Sequence, residues 1–188
     1  ILDATISLKK VPSAFISAQS IPATNLEETL ALLRQQNDKQ YVVAWVDCLA
    51  KDTALGRGVI HLGSHSETGN LEQRAKRKLS VPFTTPGFLL NRYTMSGFNR
   101  LYYARQRFKK SVNSVYYDDY FFPLDSIRGW NRLYGAGGFL QYQFVLPDDS
   151  AETGLRETLD TVGRSGKGSF LAVLKRFGPA NGNWLSFP

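Results

Sequence analysis

Cysteine, methionine and histidine are nearly missing from this chain: one, one and two among 188 residues. The lone Cys48 excludes an internal disulfide and any multi-cysteine metal site. It sits in the apolar run YVVAWVDCLA, where a small core residue is the expected role rather than a reactive thiol. His61 and His65 are four apart with Gly63 between them, in a run that reads as a strand leaving into a loop. No third ligand stands nearby, so no metal site is expected. No apolar run approaches the ~20 residues of a membrane span. The start, ILDATISLKK, lacks the charged-then-apolar pattern of a signal peptide. No internal repeat or low-complexity linker is present. Acidic residues are the minority, 16 against 23 basic, for a net charge of +7. That permits nucleic acid, anionic lipid or phosphorylated ligands as partners and requires none of them.

What is present fills one domain with a core, residues 1–188, and is too short for two comfortable ones. Leu2, Ala4, Ile6 and Leu8 alternate as in a strand, and AFISAQS reads as a second. With a strand pattern at its first residues and no initiator Met, the chain is expected to be cut from a longer protein. Asn25 reads as an N-cap with Glu28 completing a capping box, and Leu26, Leu30 and Leu33 form a helical stripe to about Gln36. YVVAWVD (41–47) is a strand with GVIHLGS (58–64) as its partner. EQRAKRK reads as a short basic helix. Phe98, Leu101 and Tyr102 mark a helix over 93–107. SVYYDDYFF reads as a strand, Pro123 opens a short helix to Trp130, and FLQYQFVLP (139–147) reads as a strand with Leu140, Tyr142 and Phe144 in the core. A helix over 151–163 carries Leu155, Leu159 and Val162, and SFLAVLKRF is the last strand. The sequence thus predicts an α+β fold, a mostly antiparallel sheet with helices packed on one face.

Two glycine-rich motifs carry no nucleotide signature. GRSGKGS (163–169) follows a helix, and Gly168 stands where a P-loop needs Ser or Thr after the lysine. It is read as a helix C-terminus with a glycine stop. GAGG (135–138) is a turn before a strand. The clusters Arg74, Lys76, Arg77, Lys78 and Arg105, Arg107, Lys109, Lys110 read first as solvated faces. Aromatics among the second cluster keep open an alternative: a basic binding module, without enzymatic activity, for nucleic acid or an anionic membrane surface.

PLDSIRGWNRLYGAGGFLQYQFVLP (123–147) resembles a segment of the FAD-linked oxidases related to decaprenylphosphoryl-β-D-ribose 2'-oxidase, within the vanillyl-alcohol oxidase superfamily. SFLAVLKRFGPANGNWLSFP (169–188) resembles the part that follows, and VAWVD with LGRGV is similar to an earlier strand pair. About half the chain matches well, and residues 64–115 match poorly. The resemblance implies the substrate (cap) domain of an FAD-dependent oxidoreductase that oxidises an alcohol or sugar hydroxyl by hydride transfer to flavin. It implies that the FAD-binding domain lies upstream and a return segment downstream, both outside these residues. No cofactor-binding residue is assigned within the chain, which by itself is expected to be inactive. The implied substrate is a small alcohol or sugar, phosphorylated or lipid-linked, and the location cytoplasmic or peripherally membrane-associated.

Alternation along 139–147 puts Gln141 and Gln143 on one face. On composition alone that face is solvent or pocket. The resemblance implies a pocket, where amides both donate to and accept from sugar hydroxyls. It implies a catalytic Lys175, whose ammonium would stabilise developing negative charge, and pocket walls from Trp45, Phe121 and Leu171. Two departures stand out: Phe121 and Phe122 where the family has Tyr then His, and Ala172 where it has Asn. They bear on the substrate more than on the reaction class.

Overall fold

The computed structural model describes residues 3, 5–36, 38–74, 79–108, 112–179 and 181–182. In chain order the elements are β1 (Phe15–Ala23), α1 (Leu26–Gln35), β2 (Tyr41–Val46), β3 (Gly58–His65), β4 (Leu79–Ser80), α2 (Arg92–Arg107), β5 (Asn113–Tyr116), α3 (Tyr117–Phe121), β6 (Ile127–Arg128), α4 (Ala151–Ser165) and β7 (Val173–Leu174). Five strands form an antiparallel-paired sheet in the order β5-β1-β3-β2-β7, and β4 pairs with β6 in a separate parallel ribbon. The α+β class with an antiparallel sheet is therefore borne out.

β3 is antiparallel to both β1 and β2, so β1 and β2 run parallel with α1 as their crossover. Asn25 caps α1 by accepting from the Glu28 N–H at 2.9 Å. Glu28 reaches back one residue beyond the cap, taking the Thr24 N–H at 2.7 Å. Alternation then divides the sheet into two faces. On one, Ala23, Ala44, Val46, Ile60 and Leu62 form the main core with Leu33 of α1, and Leu159 of α4 packs against it. Leu155 and Val162 of the same helical stripe are half-buried. On the other face, Trp45 and Val59 pack with Tyr102 and Tyr103 of α2. α2 thus packs on the face opposite α1 and α4, so helices stand on both faces of the sheet and not on one as expected.

Several sequence expectations are corrected. The described residues before β1 form no strand, and Ile6 and Leu8 are exposed; Leu2 and Ala4 lie outside the described residues. SVYYDDYFF splits into β5 and the turn of helix α3. The short helix from Pro123 becomes two 3-10 turns around β6. Of the basic segment EQRAKRK, residues 72–74 are not helical and 75–78 lie outside the described residues. In α2 the buried residues are Asn99, Tyr103 and Gln106, and Leu101 points outward. Residues 139–147 form no strand: Leu140 is 100% exposed, and Tyr142 and Phe144 are exposed too. The final strand contracts to β7, extended by one bond from the Val46 N–H to the Ala172 carbonyl at 2.9 Å.

Candidate functional site

The Trp45 face of the sheet collects most of the residues selected from the sequence. Tyr41, Val43 and Trp45 alternate along β2 on this face. Phe121 of α3 packs edge-on against Tyr41, ring centroids 4.7 Å apart. Val173 pairs with Trp45, so Leu171 and Lys175, two residues to either side, share its parity; both are exposed. Trp45 itself is 5% exposed. Its indole N–H donates to the Phe170 carbonyl at 2.9 Å, and the Tyr102 ring lies over it at 4.6 Å. Trp45 is thus a core residue of this face, with Tyr102 presented outward of it.

Gln141 and Gln143 are exposed on an irregular stretch rather than a strand. Both ends of that stretch are nonetheless held beside β7. Phe139 packs on Tyr134, whose ring stacks on Phe170 at 5.0 Å. At the other end Asp148 pairs with Arg176 at 2.9 Å, and the guanidinium holds the Asp148 carboxyl below its usual range. The stretch that carries the glutamines is therefore anchored at both ends near 170–176 and forms no ladder with β7.

Two histidines set aside as metal ligands lie on this same face. His61 has Ser20 Oγ 3.0 Å from Nδ1 and Tyr102 OH 3.2 Å from Nε2. His65 lies between the Ser13 carbonyl at Nδ1 and Tyr41 OH at Nε2, each at 3.2 Å. Between them, Gly63 lets Tyr120 approach: a Cβ there would lie 2.5 Å from the Tyr120 hydroxyl. Sequence reasoning left Ser20, Tyr102 and Tyr120 unselected, because nothing local marks a hydroxyl that meets its partner across about forty residues, as those of Ser20 and Tyr102 do, or one that is buried over a distant glycine, as that of Tyr120 is. Burial raises the Tyr102 phenol, and carries that of Tyr120 to about 12.

A buried polar cluster closes the end of this face. Arg57 Nε and Nη2 donate to Asp47 Oδ2 at 3.0 and 2.6 Å. The Leu49 N–H and Asn99 Nδ2 donate to Asp47 Oδ1 at 3.1 and 2.9 Å. Asn99 Nδ2 also reaches the Ser169 carbonyl. Cys48 is buried in the same corner with Sγ 3.3 Å from that carbonyl, and burial pushes its thiol up, away from the reactive thiolate. The core role expected for Cys48 holds. This cluster joins β2, α2 and the approach to β7, and so fixes the geometry of the face.

A groove of about 730 Å³, lined by Leu33, Gln36, Lys39, Val42, Arg176 and Phe177 among others, opens on the α1 side of the sheet. None of the candidate site residues selected from the sequence lines it. No cluster of metal-ligating side chains exists among the described residues, and none of their helices is long and apolar enough to cross a membrane.

No family model matches the chain. Over 200 aligned positions it is 34% identical to decaprenylphosphoryl-beta-D-ribose oxidase of Mycolicibacterium smegmatis, a match that covers 100% of this chain and 43% of that protein. It is also 27% identical over 205 positions to an uncharacterized protein in the mprA 5' region of Streptomyces coelicolor, covering 100% of this chain and 55% of that one. The chain spans about half the length of the curated relatives it matches. The resemblance read from residues 123–147 and 169–188 is borne out by the oxidase relative, and the similarity extends to residues 64–115 as well.

Proposed function

We propose that this chain, homologous along its whole length to part of an oxidase, is the substrate-binding domain of an FAD-dependent oxidoreductase acting on an alcohol or sugar hydroxyl. The 34% identity across all of the chain carries this reading. FAD, when bound, supplies the hydride acceptor. In this reading the described residues form one wall of such a site. The first turns of α1 and α2 are occupied by their own caps, Asn25 and Asn91, which take the N–H groups an anion would use. FAD is therefore assigned mainly to chain outside these residues, and this chain alone is taken to be inactive.

The domain's own work is binding and orientation. Gln141 and Gln143 offer exposed amides to sugar hydroxyls. Lys175 brings an ammonium to the Trp45 side of β7, where it favours negative charge developing on the substrate. Phe121 and Leu171 are apolar walls, and Trp45 supports the surface from beneath Tyr102. The relative's named substrate supports a phosphorylated, lipid-linked sugar, and with it a cytoplasmic or membrane-peripheral location.

The test uses the whole encoded protein. Flavin is expected to copurify and to bleach anaerobically on addition of a polyprenylphosphoryl sugar or a simpler alcohol. Lys175→Ala is expected to lower kcat/KM about a hundredfold, ~3 kcal/mol, with an unchanged urea midpoint because the side chain is exposed. Wild-type rates in that variant remove Lys175 from the site. A whole protein without flavin removes the redox reading.

A further inference from the structure

Charge is distributed very unevenly along this chain. Residues 73–117 contain ten of the 23 basic residues and none of the 16 acidic ones. The remainder is net negative, so the positive charge of the whole molecule comes from this one segment. The same segment exposes large apolar side chains. On α2, Asn99, Tyr103 and Gln106 face the sheet. Leu101 and Phe108, seven residues apart and so on one outward line, are 71% and 87% exposed. Arg100 and Arg105 flank that line, with Arg92 and Arg107 at the helix ends, all four exposed. The turn before α2 adds exposed Phe88 and Leu89. It is fixed to the helix by Asn91 Nδ2 donating to the Phe88 carbonyl at 2.9 Å and by the Thr94 hydroxyl donating to the Leu89 carbonyl.

A helix whose outer line is apolar and whose flanks are arginine, without a carboxylate in its segment, matches the boundary of an anionic bilayer: hydrocarbon below, phosphate at the sides. Nucleic acid would take the charge but leaves Leu89 and Leu101 in water, since leucine has no face on which a base can stack. We propose that α2 and the turn before it dock on a membrane surface rich in anionic phospholipid, with Phe88, Leu101 and Phe108 entering the headgroup region and Arg100, Arg105 and Arg107 meeting phosphates. This stands apart from the redox reading: it concerns the outer side of α2, and the candidate pocket residues lie elsewhere.

The experiment is cosedimentation of the chain with vesicles of phosphatidylcholine alone and of phosphatidylcholine with about a third phosphatidylglycerol. The anionic vesicles are expected to bind at least about tenfold more tightly, and the difference to collapse at high salt. Leu101→Ser combined with Phe108→Ser is expected to weaken binding about tenfold, and Arg100→Glu combined with Arg105→Glu to abolish the preference for the anionic lipid. All four side chains are exposed, so the variants should keep the wild-type circular dichroism. Absence of vesicle binding by the wild type overturns the proposal, as does equal binding by the Leu101→Ser, Phe108→Ser variant. A single-stranded RNA bound by wild type and that variant alike, without vesicle binding, also overturns it and assigns the charge to nucleic acid.

Discussion

Tyr120 carries its hydroxyl over Gly63, where the oxygen is buried without a hydrogen-bond partner among the described residues. A buried, unpaired hydroxyl costs free energy, and removing it relieves that cost. Tyr120→Phe is therefore expected to leave the fold unharmed and to raise stability by up to about 1 kcal/mol in urea unfolding. Burial also holds the phenol at about 12, above its unfolded value. The folded state thus binds this proton more tightly than the unfolded state does. Its contribution is full below about pH 10 and is lost as pH rises through 12, so the phenylalanine variant should resist alkaline unfolding better than wild type. A clear loss of stability at neutral pH would show that the hydroxyl has a partner. Asp47 is the opposite case. Its carboxylate is 1% exposed and takes the Arg57 guanidinium, the Asn99 amide and the Leu49 N–H. Asp47→Ala strands those donors and is expected to cost about 3 kcal/mol, measured as a fall in the urea midpoint with an unchanged slope.

At the scale of elements, α2 is docked on the sheet through several distinct contacts. Three of its side chains fix it to the sheet by different means: Asn99 by hydrogen bonds to Asp47 and Ser169, Tyr102 by its ring on Trp45, and Tyr103 beneath the Arg57 guanidinium at 5.1 Å. Asn99→Ala removes the polar anchor alone. Amide exchange should then accelerate through 92–107 by at least about tenfold, equivalent to ~1.4 kcal/mol, while β1–β3 exchange as before. Uniform acceleration of both would mean that α2 and the sheet open together. The helix was legible in the sequence but its orientation was not. Tyr102 of the expected stripe meets Trp45, yet Leu101 points outward and the sheet takes Asn99 and Gln106, because an amide paired with Asp47 is worth burying and no local pattern reveals the pair. α1, β2, β3 and α4 were legible because cap, stripe and alternation agreed locally; α4 even ends at the left-handed Gly166 expected of a glycine stop. The stretch 139–147 has the composition of a strand, but a strand also needs a neighbour, and its side chains stand in solvent. For the site, parity along β2 and β7 could be read, whereas the hydroxyls of Ser20, Tyr102 and Tyr120 could not.

At the scale of the molecule, the sheet has one face closed by α1 and α4 and the other only partly covered by α2 and α3. Beyond β7 the exposed apolar residues accumulate: Phe139, Leu140, Tyr142 and Val145 on the stretch alongside it, and Leu171 and Val173 on the strand itself. A monomer seldom leaves so many large apolar groups together in water, so this edge has the character of a surface made to be covered. A flavin ring and the domain that holds it fit that requirement in the proposed enzyme. In that reading the chain supplies one wall of the site, and Asn25 and Asn91 cap the starts of α1 and α2. Stacking against exposed aromatics without a phosphate cradle gives weak, rapidly reversible contact, on the order of millimolar. The purified chain is therefore expected to be colourless, and to lose all yellow colour when mixed with excess FAD and passed over a desalting column. Apolar edge residues should still register the ring: quenching of tryptophan fluorescence should grow with FAD without saturating at low concentration. A stoichiometric flavin band surviving the column would place a complete FAD site within these 188 residues, and the assignment of the cofactor to chain outside them would be wrong.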